Sequence, residues 1–429
     1  MEQKILYGPQ TKAALENFPF DYPRAHKEFY YAIVMIKKAA AAANFKAGKI
    51  TKSQSEKIVK ACDEILKGKY DDQFVVSGIH GGAGTSVNMN VNEVIANLSG
   101  THPNDHVNAS MSTNDCNPSA LKIASIKLGQ KLLDNLLRLI EIMEEKAKEF
   151  KNVKKLGRTH MQDAVPATLG AEFQSYAEIL KRDEKRITEA LWYLYELNLG
   201  GTAIGNSINA PKTYIENVYP ELVKITGIKG IRPLKNFMSG TSSDADFCFV
   251  SAALTVLCND LSKIALDLRF MSSGPKGGIG EISFAELAPG SSIMPGKVNP
   301  IMGELMNQTY YLVAGKNLTI HQAAEGAHME LGVMLPVIAD SLITNFKVIT
   351  MSLKVFAEKG IDKIIANKKV CLEHLENSTA YAALLTPILG YDKVSKAVHE
   401  AVKTGKTLRQ IVVGKKLLTD VEFNKLISL

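Results

Sequence analysis

Apolar residues recur at helical spacing through the middle of the chain, and the runs are long. Between Leu121 and about Phe150 the apolar positions Ile123, Ile126, Leu132, Leu133, Leu136, Leu137, Ile140 and Met143 form more than one stripe. Asn117 is a candidate cap for this helix, and Pro118 suits its first position. A second run is predicted from about Thr168 to Leu199, stopping at Gly200-Gly201, and a third from about Asp244 to Met271. A fourth starts at Asn299-Pro300 and runs towards Gly326, and a fifth spans roughly Met329 to Glu358 with Pro336 as a kink. Helices of about 25–30 residues are each ~40 Å long. Being apolar on more than one face, they need partners both within a bundle and across a subunit interface. Before Pro118 and after about Lys369 the helical pattern is shorter and richer in turns. The expected organisation is a mainly α chain with an N-terminal domain at 1–118, a central long-helix bundle at 119–369 and a small C-terminal helical domain at 370–429. No internal repeat is visible.

Composition narrows the classes. With 429 residues, 46% of them hydrophobic and 22% charged, the chain has ample material for a large core and no biased tail that suggests disorder. The formal charge of +7 is spread through mixed runs such as Lys181-Arg182-Asp183-Glu184-Lys185-Arg186, which read as solvated helix faces, so no nucleic-acid partner is expected. A mild positive surplus suits small anionic substrates. The five cysteines are odd in number and widely spaced, and no C-x-x-C pair occurs. Reduced thiols in a cytoplasm are the expectation. Met1-Glu2-Gln3-Lys4 opens no basic-then-apolar signal pattern. The most apolar window, Phe247 to Cys258, falls short of the ~20 residues that span a bilayer, so a soluble protein without a membrane partner is expected.

Four short segments break the helical pattern and carry candidate chemistry. In the first, Ser77 to Glu93, Gly81, Gly82 and Gly84 let the backbone approach a ligand, while Thr85, Ser86, Asn88 and Asn90 offer donors to a carboxylate. The alternative is a tight turn with capping side chains. Nucleotide binding is disfavoured because the glycine spacing does not match G-x-G-x-x-G, and an esterase role because no G-x-S-x-G elbow exists. The second, Ser112-Thr113-Asn114-Asp115, precedes a helix start, where free N–H groups favour anions; simple capping explains it equally well. The third, Gly290-Ser291-Ser292-Ile293-Met294-Pro295-Gly296-Lys297-Val298-Asn299-Pro300, presents two hydroxyls, a cation and an amide but misses the phosphate-loop spacing. The fourth, Gly157 to Pro166, holds Thr159 and His160 and leads into the second long helix. A lone histidine is more often structural than catalytic, yet four such clusters beside long helices are hard to dismiss together.

The 290–300 loop resembles the most specific motif of the fumarase and aspartase superfamily, and the similarity extends from Tyr7-Gly8-Pro9-Gln10-Thr11 to Gly390-Tyr391-Asp392-Lys393. The resemblance implies a three-domain, mainly helical subunit, a homotetramer built on a twenty-helix core, and active sites shared by three subunits. It implies a small dicarboxylate substrate and an elimination that yields fumarate. Gly84-Thr85-Ser86 and Ser112-Thr113-Asn114-Asp115 resemble the aspartase form, so ammonium loss from L-aspartate is the implied reaction; loss of water from L-malate is the alternative. His102-Pro103-Asn104-Asp105-His106 leans towards fumarases.

By the same resemblance Ser291 is the base. Thr85, Ser112, Thr113 and Ser292 hold the β-carboxylate, and Thr159, Lys297 and Asn299 the α-carboxylate. Asn114 and His160 meet the amino group, and Glu330 orients His160. No metal-ligand spacing is evident and no cofactor is expected to be required, with an activating Mg²⁺ left open by the resemblance. Gly332, Leu335, Lys276 and Leu266 depart from the superfamily's usual residues. A silent helical scaffold, argininosuccinate and adenylosuccinate are weaker readings.

Overall fold

The computed structural model describes residues 5–19 and 21–426; Met1-Glu2-Gln3-Lys4, read above for a signal pattern, lie outside them. The architecture is mainly α, with sheet limited among the described residues to three two-stranded pairs. The chain divides into two compact units, one comprising Met1–Asp134, Asp183–Cys258 and Thr309–Met351, the other Asn135–Arg182, Asn259–Gln308 and Ser352–Leu429.

In the first unit the Lys27–Lys46 helix is buried along most of its length through Ile33, Val34, Ile36 and an alanine run, and packs against the Lys52–Leu66 and Lys212–Thr226 helices. Alanines at the contact let helix axes approach closely. Glu93, inside the Thr85–Ser99 helix, is buried and serves as a remote cap for the Pro9–Asn17 helix. Its carboxylate accepts from the backbone N–H groups of Gly8 (2.8 Å), Gln10 (2.9 Å) and Thr11 (3.1 Å) and from the Thr11 hydroxyl (2.6 Å). An anion at free N–H groups matches the helix dipole.

In the second unit, strands Lys154–Thr159 and Gln162–Thr168 form an antiparallel hairpin. The C-terminal helices of this unit, from Lys368–Asn377 to Asp420–Leu426, close around Leu375, Tyr381, Leu385, Val394, Ile411 and Phe423.

All five long helices exist, with corrected ends. The first is Thr113–Glu149, which starts earlier than its Asn117-Pro118 signal. Ser112 Oγ accepts from Asn114 N (3.2 Å) and Asp115 Oδ1 from Ser112 N (2.8 Å), a reciprocal cap that fixes the start at Ser112. Pro118 then lies inside the helix and cannot donate to the Asn114 carbonyl. Asn198 Nδ2 supplies that bond instead, at 3.1 Å. The second helix, Leu169–Trp192, ends before Gly200, giving way to a tight helical turn at Tyr193–Tyr195 and a short strand at Glu196–Leu197. The third and fourth, Ala245–Met271 and Ile301–Glu325, lie close to expectation. The fifth is Leu335–Val355, so Pro336 sits in its first turn, where a missing N–H costs nothing, and is not a kink.

The Ala245–Met271 helix, 27 residues, is by length and composition long and apolar enough to cross a membrane, which the shorter window chosen from sequence missed. About half of its apolar stretch is buried within the fold. Phe249, Val256, Leu266 and Phe270 on this helix are exposed, as are Tyr311, Leu312 and Leu318 on the next.

Candidate functional site

The glycine segment folds as a left-handed corner that feeds a helix. Gly82, Ala83 and Gly84 all have positive φ (84°, 55° and 87°), and Gly84 caps the Thr85–Ser99 helix without a side-chain hydrogen bond. A Cβ on Gly84 would lie 2.4 Å from Asn117 Nδ2, and the Gly84 carbonyl accepts from that same amide at 3.0 Å. Asn117, assigned from sequence as a helix cap, is thus the clamp that holds the glycine corner against the Thr113–Glu149 helix.

These contacts bring the first two clusters together. Asn88 Nδ2 donates to Thr113 Oγ1 (3.2 Å), leaving the Thr113 hydroxyl proton free to donate elsewhere; Ser112 Oγ is in the same position, having accepted from Asn114 N. Asn114 Nδ2 donates to the Ala203 carbonyl at 2.8 Å. Thr85 is exposed and Ser86 half-buried in the first turn of their helix. Beneath Ser112 lies Asp115, fully buried, whose Oδ2 accepts from Gly200 N (2.9 Å) and Thr202 N (3.0 Å). Burial pushes its carboxyl up despite these bonds. Ser112 therefore does cap a helix, while Thr113 and Asn114 line a small cavity with Ala83, Thr241, Asp244 and Gly332.

Thr159 and His160 occupy an exposed hairpin tip, an element the sequence reading treated only as a lead-in to the helix. Thr159 pairs with Gln162 across a two-residue corner, His160-Met161, in which both φ values are positive (55° and 61°). That is the geometry of a type I′ turn, usually made by Asn-Gly. The hairpin is anchored by charge at its base. Glu281, fully buried, lies 3.0 Å from Lys155 Nζ, 2.9 Å from Arg158 Nη1 and 3.1 Å from His374 Nδ1, and Lys155 also reaches Glu172 at 2.7 Å. Burial pushes the Glu281 carboxyl up, but Lys155, His374 and Arg158 together hold it below the ordinary glutamate value.

Ser291, Ser292, Lys297 and Asn299 share one loop, mostly exposed. Ser291 Oγ accepts from the backbone N–H of Ile293 (3.2 Å) and Met294 (3.1 Å). Two donors aimed at one hydroxyl oxygen stabilise negative charge there more than they stabilise the neutral form. Asn299 Nδ2 donates to the Gly290 carbonyl at 2.7 Å, closing the base of the loop, and Gly296 (φ 78°) turns it. Glu330 is half-buried in the tight turn closed by His328 and Leu331.

Sequence reading missed Asp244 and Glu281, and named Asp115 only as part of the Ser112-Thr113-Asn114-Asp115 segment. Their importance comes from burial and from partners remote in the chain, and no local pattern marks them.

A family model described as Lyase matches residues 2–315, and one described as Fumarase C C-terminus matches residues 382–429. The chain is 41% identical over 440 residues to an aspartate ammonia-lyase of Bacillus subtilis, covering 100% of this chain and 92% of that protein. Among solved structures it resembles a fumarate lyase:delta crystallin from Brucella melitensis bound to cobalt, with TM-score 0.96 and 39% identity over 99% of this chain and 95% of that one. It also resembles a class II fumarase from Schistosoma mansoni, with TM-score 0.95 and 32% identity over 100% of this chain and 95% of that one. Full-length agreement in sequence and fold, together with the Ser291 loop and the Thr85 corner, makes this chain a member of the fumarase and aspartase superfamily of lyases.

Proposed function

We propose that the protein is an aspartate ammonia-lyase, a carbon–nitrogen lyase that interconverts L-aspartate with fumarate and ammonium. The observation that carries this reading is full-length similarity, at 40–42% identity, to aspartate ammonia-lyases of several bacteria. We further propose a cytoplasmic homotetramer, with each site completed by residues of three subunits around a central bundle domain at 119–369. The exposed apolar residues of the long helices and the five free cysteines support it. The cofactor expectation is unchanged: none required.

In this mechanism Ser291 Oγ, as the alkoxide, takes the Cβ proton of aspartate. The electron pair moves into the β-carboxylate, giving a doubly charged enolate-like species, and that charge must be met by donors already in place. Thr85, Ser112, Thr113 and Ser292 supply them; the accepting bonds at Thr113 and Ser112 leave each O–H free to donate. As the intermediate collapses, the Cα–N bond breaks with its pair on nitrogen, and the released ammonia takes up, through solvent, the proton that Ser291 removed, giving ammonium and restoring the alkoxide. Lys297 and Asn299, with Thr159 of another subunit, hold the α-carboxylate, Asn114 and His160 meet the amine, and Glu330 orients His160. Ser86 lies beside Thr85 in the same helical turn and adds a further donor.

A serine is far too weak an acid to ionise unaided at neutral pH. The two N–H groups on Ser291 Oγ, Lys297 nearby in the chain, and exclusion of water when the loop closes over substrate supply the bias. Ser291→Ala is expected to abolish nearly all turnover while leaving assembly and dicarboxylate binding intact; activity within a few fold of the parent rejects Ser291 as base. Steady-state assay with aspartate and with malate separates the reactions: fumarate from aspartate, and little from malate, is expected, and the reverse makes the enzyme a hydratase.

A further inference from the structure

The cavity between the glycine corner and the start of the Thr113–Glu149 helix contains a charge that the mechanism above does not use. Asp244 is only 6% exposed, and its Oδ2 has no hydrogen-bond partner among the described residues. It lines the same cavity as Thr113 and Asn114. The cavity is small, with room for roughly one water-sized molecule. The nearest cation does not fill the role: Lys122 Nζ is committed to Asp246 Oδ2 (2.6 Å) and the Glu196 carbonyl (2.8 Å). A buried carboxylate oxygen left bare is costly and, inside a pocket, is a mark of a ligand. Gly332 is the reason it stays bare. A Cβ at that position would lie 2.3 Å from Asp244 Oδ2, so any side chain there would cover the carboxylate.

We infer that Asp244 and the Gly332 gap form a subsite for ammonium, next to Asn114, which receives the amine released from substrate and delivers it in the reverse reaction. The inference rests on the ammonia-lyase reading. The chemistry fits: ammonium is close to water in size, carries the charge the carboxylate lacks, and donates four hydrogen bonds, of which Asp244 Oδ2 and the Thr113–Asn114 wall of the cavity can take part. Water fits the same space but leaves the charge unmet. Burial raises the Asp244 carboxyl to about 6, partly offset by Lys122, so it is ionised and able to hold a cation at neutral pH. Asp244 would act as a positioning residue for the amine and have no contact with the carbon skeleton.

The experiment is amination of fumarate by the assembled enzyme, varying ammonium and fumarate separately. Asp244→Asn is expected to raise KM for ammonium at least tenfold with KM for fumarate changed less than threefold; Gly332→Ala, which fills the gap and keeps the carboxylate, is expected to do the same. A parallel measurement independent of turnover compares thermal midpoints in ammonium chloride and in tetramethylammonium chloride at equal ionic strength. The parent protein should gain several degrees with ammonium only, and both variants should lose that gain. An unchanged KM for ammonium in both variants of an enzyme that aminates fumarate overturns the subsite and leaves the lyase reading standing. If the parent does not aminate fumarate, the lyase reading fails, and the thermal comparison alone decides: a gain specific to ammonium and lost in Asp244→Asn retains the site, and no difference between the two salts removes it.

Discussion

Replacing Glu281 by glutamine tests the account of how the His160 hairpin is held. The substitution keeps the shape and removes one charge from a fully buried position that faces Lys155, Arg158 and His374. Lys155, whose side chain is only 3% exposed, keeps Glu172 as a partner, and Arg158 is partly hydrated, so the loss is smaller than for an isolated pair. Breaking a buried ion pair from one side costs about 3–5 kcal/mol, and the lower end is expected here, about 3 kcal/mol. At 1.36 kcal/mol per decade this is about a 150-fold rise in the opening equilibrium of the hairpin. Hydrogen exchange of amides in residues 154–168 reads it directly and avoids treating a multi-unit chain as two-state. The sign with pH also follows. Glu281 is held below the ordinary glutamate value, so its contribution is complete above about pH 4.5 and fades as pH falls through the lower folded value. The difference between parent and variant should therefore persist down to about pH 4.5 and shrink below it. Exchange within about fivefold of the parent would refute the anchoring role.

Gly84→Ala forces a side chain into a left-handed position 2.4 Å from Asn117 Nδ2; a cost of about 1–3 kcal/mol and a fall in kcat are expected, read by thermal scanning and steady-state assay. Asp244→Asn should stabilise the ligand-free protein at pH 8 by up to about 3 kcal/mol, because a carboxyl raised from 3.8 to about 6 carries an uncompensated charge in the native state above both values. That gain should vanish below about pH 4, where the acid is protonated folded or unfolded; equal gains at both pH values would exclude the ionisation account. Mixing Ser291→Ala with His160→Ala, each inactive alone, should restore measurable turnover after dissociation and reassembly if sites are shared between chains. No recovery would place each site within one subunit.

The long helices were legible because apolar residues at helical spacing over many turns leave few alternatives. Their ends were less so. At the Thr113 start, the Ser112–Asp115 cap prevailed over the Asn117-Pro118 signal, since Asn198 repairs the carbonyl that proline strands and Asn117 is taken by Gly84. At Pro336 the missing N–H fits the first turn of a helix as well as a kink, and the tight turn at His328–Leu331 decides between them. The hairpin was invisible because His160-Met161 carries none of the glycine or asparagine that usually announces such a corner. The candidate site was legible as segments, each dense in hydroxyls and amides. What each group does locally was not: Asp244 gains meaning from Gly332, and Glu281 from Lys155 and His374, pairings set by tertiary packing.

The His160-Met161 corner has a consequence for anyone seeking a hardier catalyst. Two ordinary side chains are kept in a backbone region that costs each of them about 1–2 kcal/mol, and an Asn-Gly pair would occupy the same corner with less strain. A search that selects only for survival on heating should find that exchange early and lose the imidazole with it. Screens on this scaffold therefore need turnover scored in every round, because its easiest gain in robustness leads directly away from function.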